Sequence, residues 1–126
     1  MSPPAKGLPF YRRVRFAWAG VCDAWRLEAS FRSQCLAALA ALLALAALRP
    51  GWLWSATVVV MVALVLAAEL INTALEAALD GLHPEQAGFV RIAKDCAAAA
   101  VLVLSAASVL VFACMLADLL GVGSAG

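Results

Sequence analysis

Charged side chains are scarce in this sequence. Of its 126 residues only 13% are Asp, Glu, Lys or Arg, whereas an ordinary soluble domain has about 25%. Hydrophobic residues make up 66% of the chain, and the mean hydropathy is +0.98. This balance excludes an ordinary soluble domain and indicates a membrane protein. With a net charge of +1, no nucleic-acid partner is expected.

Common metal and nucleotide motifs are also missing. The cysteines, Cys22, Cys35, Cys96 and Cys114, form no CxxC pair, and His83 is the single histidine. Their spacing argues against a zinc site or a disulfide scaffold. The sequence contains no GxxxxGK[ST] loop and no kinase-type glycine-rich loop. A nucleotide site would therefore need another scaffold.

The first predicted element is an amphipathic helix over about residues 10–28. Its apolar face carries residues three or four positions apart: Phe10, Val14, Trp18, Val21 and Trp25. Most arginines of the segment lie off that face. Tryptophans opposite arginines suit a helix lying on the membrane surface. Packing of the same face against protein is the alternative, and both can hold together.

Three apolar segments follow, and they predict membrane-spanning helices over about 30–48, 52–80 and 93–120. The apolar part of the first is short, about 21 Å of helix against a hydrocarbon core of about 30 Å. Arg49-Pro50-Gly51 predicts a tight turn, and Gly81, Pro84 and Gly88 interrupt the helical pattern after the second span. Residues 1–9 and the glycine-rich tail are expected to be loose. The whole chain, 1–126, is expected to be one domain.

Basic residues set the predicted orientation. Six precede the first span: Lys6, Arg12, Arg13, Arg15, Arg26 and Arg32. The first loop has Arg49, the second has Arg91 and Lys94, and the tail has none. By the positive-inside rule the N-terminus and second loop are cytoplasmic.

The second span ends in a stripe of polar residues. Glu69, Asn72, Glu76 and Asp80 fall within about 60° of one another around the helix, so they project from one side. Ionisable groups inside a spanning helix are costly and normally serve a function. The alternative is that Asp80 and Glu76 merely reach the interface. Glu69 is flanked by apolar residues and is the strongest candidate.

Two further polar pairs flank the same cytoplasmic boundary. Glu28 and Arg32 precede the first span, and Lys94 and Asp95 lie at the start of the third. Taken alone, each is an ordinary helix-surface or interfacial group. Together with the stripe they supply hard oxygen ligands for Mg²⁺ and an ammonium for phosphate.

Three motifs resemble those of the bacterial integral-membrane diacylglycerol kinases: the run 69–80 (ELINTALEAALD), the run 93–102 (AKDCAAAAVL) and the run 28–32 (EASFR). The resemblance covers about residues 10–120. It implies an all-α membrane protein, a homotrimeric helical bundle of the bacterial inner membrane with active sites shared between subunits. It also implies transfer of the ATP γ-phosphate to the hydroxyl of diacylglycerol, giving phosphatidate, with Mg²⁺ as cofactor.

The resemblance also implies roles for individual residues. Glu69 is the expected general base, and Glu28 and Glu76 the expected metal ligands. ATP-binding residues are expected to be Phe16, Glu28, Asn72, Glu76, Glu85, Lys94 and Asp95. Residues near the lipid are expected to be Trp25, Phe31, Arg32, Glu69 and Ala98. Phe16 stands where some members have tyrosine, and the loop 83–88 also departs from the family pattern, which affects the adenine contacts.

Three other interpretations stay open at this point. Undecaprenol is the rival lipid substrate in the same family. A small proton or cation pathway could be lined by Glu69, Asn72 and Glu76, and a non-catalytic membrane assembly subunit is a third class. Glu28, Lys94 and Asp95 favour the kinase, because a simple pore lining would not need them.

Overall fold

The computed structural model describes residues 7–85 and 87–122, and within them the regular structure is entirely helical. The helices are α1 (Phe10–Leu27), α2 (Ala29–Leu48), α3 (Trp52–Leu82) and α4 (Gly88–Leu119). α4 begins five residues before the expected start of the third span. The expected loose ends at 1–6 and 123–126, with Lys6, lie outside the described residues, as does Gln86.

A one-residue break at Glu28 separates α1 from α2. Its backbone is extended, with φ −121° and ψ 112°, while its N–H still donates to the carbonyl of Ala24 at 2.9 Å. The guanidinium of Arg32 donates to the carbonyl oxygens of Trp25 at 2.6 Å and Arg26 at 3.3 Å. Carbonyls at a helix C-terminus lack partners within the helix, so Arg32 caps α1.

The expected turn joins α2 to α3. Arg49 adopts the left-handed conformation, with φ 50°, and its N–H donates to the carbonyl of Leu45. Gly51 follows with φ 100°, a conformation that glycine adopts without the strain of a Cβ atom. These two positive φ values turn the chain over three residues, so α3 runs back along α2.

α3 is the central helix of the chain. It packs most extensively against α4 and less extensively against α2, while α1 packs only lightly against α2 and α3. Its 31 residues span about 46 Å at 1.5 Å each, more than a hydrocarbon core of about 30 Å. The last turns of α3, with Glu76 and Asp80, therefore extend towards the interface.

A small cluster of buried hydrophobic residues lies at the end of the bundle away from Glu28. It consists of Leu45, Val58 and Met115 with a few half-buried neighbours. Beside it the indole Nε1 of Trp54 donates to Oδ2 of Asp118 at 2.8 Å, joining α3 to α4.

Most of the large apolar side chains on α2, α3 and α4 face outwards. Leu43, for example, is 61% exposed and Val109 is 70% exposed. By length and composition these three helices can each cross a membrane. Surfaces of this kind require lipid or a partner helix around them. The chain is thus a multi-pass membrane protein.

Candidate functional site

Two polar side chains on α3 are buried. Glu69 is 3% exposed and Asn72 is 8% exposed, and no other polar or charged residue in the described ranges is as deeply buried. Further along the same face Glu76 is half-buried and Asp80 is exposed. Burial therefore decreases along the stripe towards the end of α3. A buried carboxylate is costly unless it is hydrogen-bonded or serves a ligand.

The carboxylate of Glu69 is held from α2. Its Oε2 accepts a hydrogen bond from Oγ of Ser30 at 3.1 Å. Thr73, one turn further along α3, donates its hydroxyl to the backbone carbonyl of Glu69 at 2.9 Å. The contact between Ser30 and Glu69 is thus the tertiary contact that orients the candidate base. Ser30 was not predicted as a site residue, although it lies two residues after Glu28 in a motif already associated with the site.

Asn72 carries an acceptor without a donor. Its Nδ2 donates to Oε1 of Glu76 at 3.5 Å, the long end of the range. Its Oδ1 is buried and has no hydrogen-bond partner among the described residues. Buried acceptors are normally satisfied by protein, water or ligand. Asn72 therefore offers a free oxygen beside Glu76.

Glu28 faces the stripe from the break between α1 and α2. Its pKa is raised above the ordinary value of a glutamate, first because the side chain is partly removed from water. Contact with the Glu76 carboxyl and the negative charge of Glu69 raise it further, while Arg32 acts in the opposite direction. Like charges brought together disfavour ionisation. The three glutamates thus form one acidic cluster, in which Glu28 lies closest to Glu76.

The polar residues at the start of α4 form two ion pairs. Nζ of Lys94 contacts Oδ1 of Asp80 at 2.6 Å, which ties the start of α4 to the end of α3. Nη1 of Arg91 contacts Oδ2 of Asp95 at 3.0 Å on the outer face of α4. Lys94 lies towards the stripe, and its side chain is 24% exposed. Asp95 is exposed and pairs with Arg91 rather than with Lys94.

An apolar groove leads away from this cluster. Its volume is about 590 Å³, and it runs between α2, α3 and α4. Gln34 and Ser105 bridge it with a hydrogen bond of 3.1 Å from Nε2 to Oγ. On α3 its walls extend from Leu66, one turn before Glu69, to Val58 near the far end. The groove therefore ends about one turn from Glu69 and is lined mainly by apolar side chains.

Several known proteins are similar to this sequence. A family model described as "Prokaryotic diacylglycerol kinase" matches residues 15–116. The chain belongs to the prokaryotic diacylglycerol kinase family. It is 37% identical over 103 residues to a diacylglycerol kinase of Synechocystis sp., covering 81% of this chain and 59% of that protein. It is 31% identical over 101 residues to the diacylglycerol kinase of Escherichia coli K12, covering 80% of this chain and 83% of that protein.

The family match confirms the resemblance found in the motifs, and it includes the positions of all the predicted site residues. The aligned segment is 59% of the length of the Synechocystis relative. Relatives from two bacterial groups carry the same name, diacylglycerol kinase.

The donor set of the cluster fits Mg²⁺ in the way that kinases bind it. Among the described residues no group of three or more His, Cys, Asp or Glu side chains is arranged around a metal position. Mg²⁺ in phosphoryl-transfer sites usually takes only one or two carboxylates and completes its shell with water and phosphate oxygens. Glu28 and Glu76 supply two adjacent carboxylates, and Oδ1 of Asn72 supplies a free oxygen beside them.

Several predicted site residues lie outside this cluster in the single chain. Phe16 and Trp25 are exposed on α1, and Ala98 is exposed on α4. Within the described residues, no side-chain hydrogen bond, ion pair or ring contact joins them or Glu85 to Glu69 or Glu76. Phe31 is only 2% exposed. The predicted contacts of these residues, and of Arg32, with ATP or lipid stay predictions.

Proposed function

We propose that this chain is an ATP-dependent diacylglycerol kinase that transfers the γ-phosphate to the lipid hydroxyl and produces phosphatidate. The observation that carries the proposal is the position of Glu69. It is a buried carboxylate held by Ser30, with Glu28 and Glu76 on one side and an apolar groove on the other. A base between a phosphate-binding region and a lipid-binding region matches the reaction.

Glu69 acts as the general base in the proposed reaction. It accepts the proton of the lipid hydroxyl while the hydroxyl oxygen forms its bond to the γ-phosphorus. The bond between that phosphorus and the oxygen bridging to the β-phosphate breaks, and ADP leaves with the electron pair. Phosphoryl transfer needs mainly alignment and neutralised charge. The groove aligns the lipid by accepting its apolar part.

Glu28 and Glu76 would hold the Mg²⁺ of MgATP, with the free oxygen of Asn72 directed towards the same place. Bound there, the cation would neutralise negative charge on the phosphates. Lys94, which Asp80 holds at the start of α4, supplies an ammonium to the phosphates. Phe16, Glu85 and Asp95 complete the proposed ATP site.

The proposed assembly is a homotrimer in the bacterial inner membrane with its N-terminus in the cytoplasm. The exposed apolar faces of α2, α3 and α4 leave ample surface for neighbouring subunits. α1 lies on the membrane surface in this arrangement. Its apolar residues lie on one face and several of its arginines off it, and most members of both groups are exposed in the single chain. The exposed predicted residues, Phe16 and Trp25 among them, would meet ATP or lipid there.

An ion pathway is less consistent with the structure. The polar stripe begins at Glu69, and the buried cluster that includes Val58 and Met115 at the far end of the bundle is apolar. The described part of the chain thus has no continuous row of polar side chains across the membrane. Undecaprenol uses the same kind of hydroxyl as diacylglycerol, so the two lipids have to be compared directly.

The test is phosphate transfer from labelled MgATP by the purified chain in detergent micelles. Diacylglycerol and undecaprenol are supplied in parallel, and the ratio of labelled products gives the substrate. We expect Glu69→Gln to lower kcat by about a hundredfold or more, since it loses the base. Asp118→Asn at the far end is the control and should retain activity. Ion flux in liposomes without transfer to either lipid would overturn the proposal.

A further inference from the structure

Ser30 lies where it can control the direction of the proposed base. It occupies the first turn of α2, two residues after the break at Glu28, and is itself exposed. Across the interface with α3 its hydroxyl reaches a carboxylate that is only 3% exposed. The two residues are 39 positions apart in the chain.

The hydrogen bond has one possible direction while Glu69 is ionised. A carboxylate only accepts, so the hydroxyl of Ser30 must donate its single proton to Oε2. Bonds from a neutral donor to a charged acceptor are among the stronger ones in proteins. This bond fixes the rotation of the carboxylate and uses one of its two oxygens.

The other oxygen, Oε1, is left for the substrate. It makes no hydrogen bond within the described residues. Asn72 Oδ1 is the one side-chain atom there that is both buried and unpartnered, so Oε1 retains some accessible surface. Because Ser30 occupies Oε2, a lipid hydroxyl can donate to Oε1 without displacing Ser30.

The end of α1 keeps Ser30 in place. Arg32 binds the last carbonyls of α1, Trp25 and Arg26, and so fixes the break on the N-terminal side of Ser30. Glu28, in the break itself, faces Glu76. One short segment thus brings a proposed metal ligand and the partner of the base to α3 together.

We infer that Ser30 is a positioning residue for the kinase reaction, which holds Oε2 of Glu69 so that Oε1 faces the lipid hydroxyl. This inference rests on the proposed function, because it assigns Ser30 an effect on the base of that reaction. In this role Ser30 acts through Glu69 and does not touch the substrate.

The test compares Ser30→Ala, Ser30→Thr and Ser33→Ala in the full-length protein with MgATP and diacylglycerol. Ser33 is exposed on the same helix and makes no side-chain hydrogen bond to any other described residue, so it is the matched control. We expect Ser30→Ala to lower kcat by about tenfold. This factor corresponds to the smallest contribution that a hydrogen bond to a charged group usually makes. The KM values for diacylglycerol and MgATP should stay within about twofold, since the variant leaves both binding regions intact.

Rescue separates positioning from a general packing role. Ser30→Thr keeps the hydroxyl and, at an exposed position, has room for its extra methyl group, so it should retain at least about a third of kcat. Ser33→Ala should behave like the parent protein. Thermal unfolding in detergent checks that all three variants fold. If Ser30→Ala does not fold, the kcat of Ser30→Thr still tests the hydrogen bond.

Three results would overturn the inference. Ser30→Ala with an unchanged kcat would show that the bond does not position the base. An increase of the KM for diacylglycerol with kcat unchanged would instead make Ser30 a lipid contact. Equal losses in Ser30→Thr and Ser30→Ala would point to packing rather than the hydroxyl. Absence of transfer by the parent protein is a separate failure, that of the proposed function itself.

Discussion

At the scale of single residues, the acidic cluster opposes the stability of the chain. The pKa of Glu28 is raised by loss of water and by Glu76 and Glu69, so the folded protein binds a proton more readily there than the unfolded protein does. The free energy of unfolding therefore decreases as the pH rises from the unfolded value of about 4.5 through the folded pKa. A bound cation would offset the repulsion. Strain of this kind is common where a site must receive a ligand.

The first prediction concerns Glu28→Gln. It removes one of the repelling charges while keeping the shape, so we expect the midpoint of thermal unfolding at pH 7.5 without Mg²⁺ to rise by about 3 °C. The difference in midpoint between pH 5.5 and pH 7.5 should become smaller than in the parent protein. Phosphate transfer should fall by about a hundredfold, since a proposed metal ligand is lost.

Glu85→Gln serves as the control for the stability measurement. Glu85 is exposed in the loop before α4 and lies outside the acidic cluster, so its removal should leave the midpoint and its pH dependence nearly unchanged. A lower midpoint for Glu28→Gln would contradict the account, because the carboxylate would then be stabilising the folded protein.

At the scale of helices, the ion pair between Lys94 and Asp80 connects the end of α3 with the start of α4. The carboxylate of Asp80 is largely exposed, and ion pairs of this kind contribute at most about 1 kcal/mol to stability. An ammonium has three N–H donors. Lys94 can therefore keep its contact with Asp80 while donating to phosphate. The pair is better suited to directing the lysine than to holding the fold together.

The second prediction is that Asp80→Asn impairs ATP binding more than folding. Without the carboxylate the long side chain of Lys94 loses its fixed direction, so we expect the KM for MgATP to rise by about fivefold. The free energy of unfolding should change by less than about 1 kcal/mol. Kinetics over a range of MgATP concentrations and thermal unfolding give the two values.

Asp23→Asn is the matched control at this scale. It breaks the exposed ion pair with Arg26 on α1, away from Lys94. Its KM for MgATP should equal that of the parent protein. If both variants raise the KM to the same degree, a general loss of negative charge explains the effect and the role of Asp80 is wrong.

At the scale of the whole molecule, one chain already brings together the proposed base and its metal ligands. Ser30 binds Glu69, and Glu28 faces Glu76, without any contribution from a neighbour. The exposed predicted residues, Phe16, Trp25 and Ala98, do not join them. In the proposed trimer the acidic half of each site would thus come from one subunit. A neighbouring subunit would contribute only the exposed residues.

The third prediction tests this arrangement by mixing inactive variants. Subunits with Glu28→Gln and subunits with Glu69→Gln are combined and their phosphate transfer is measured. We expect no recovery, because no chain in the mixture has both carboxylates. A mixture of the parent protein with the Glu69→Gln variant is the control. It shows whether the exchange of subunits by itself changes phosphate transfer. If the two residues came from different subunits, about a quarter of the sites would be intact in a random mixture, and recovery to that level would refute the arrangement.

The helices and their order could be predicted from the sequence because their causes are local. A run of apolar residues favours a helix in the membrane, where every backbone group must be paired within the segment. Arg49, Pro50 and Gly51 marked the first turn for equally local reasons. The start of α4 was placed five residues too late, since the apolar signal begins only after the polar turns that contain Arg91 and Lys94. Helical hydrogen bonding continues through those turns.

The sequence by itself determined the helical class, the apolar helices and the polar face of α3, since the spacing of residues along a helix decides which side chains share a side. It could not determine which side chains of the other helices contact that face. Only the tertiary structure decided that Ser30 holds Glu69, that Glu28 faces Glu76 and that Asp80 engages Lys94. Those contacts depend on the break at Glu28 and on how the helices pack. Both are set by distant parts of the chain, and helical periodicity carries no information about them.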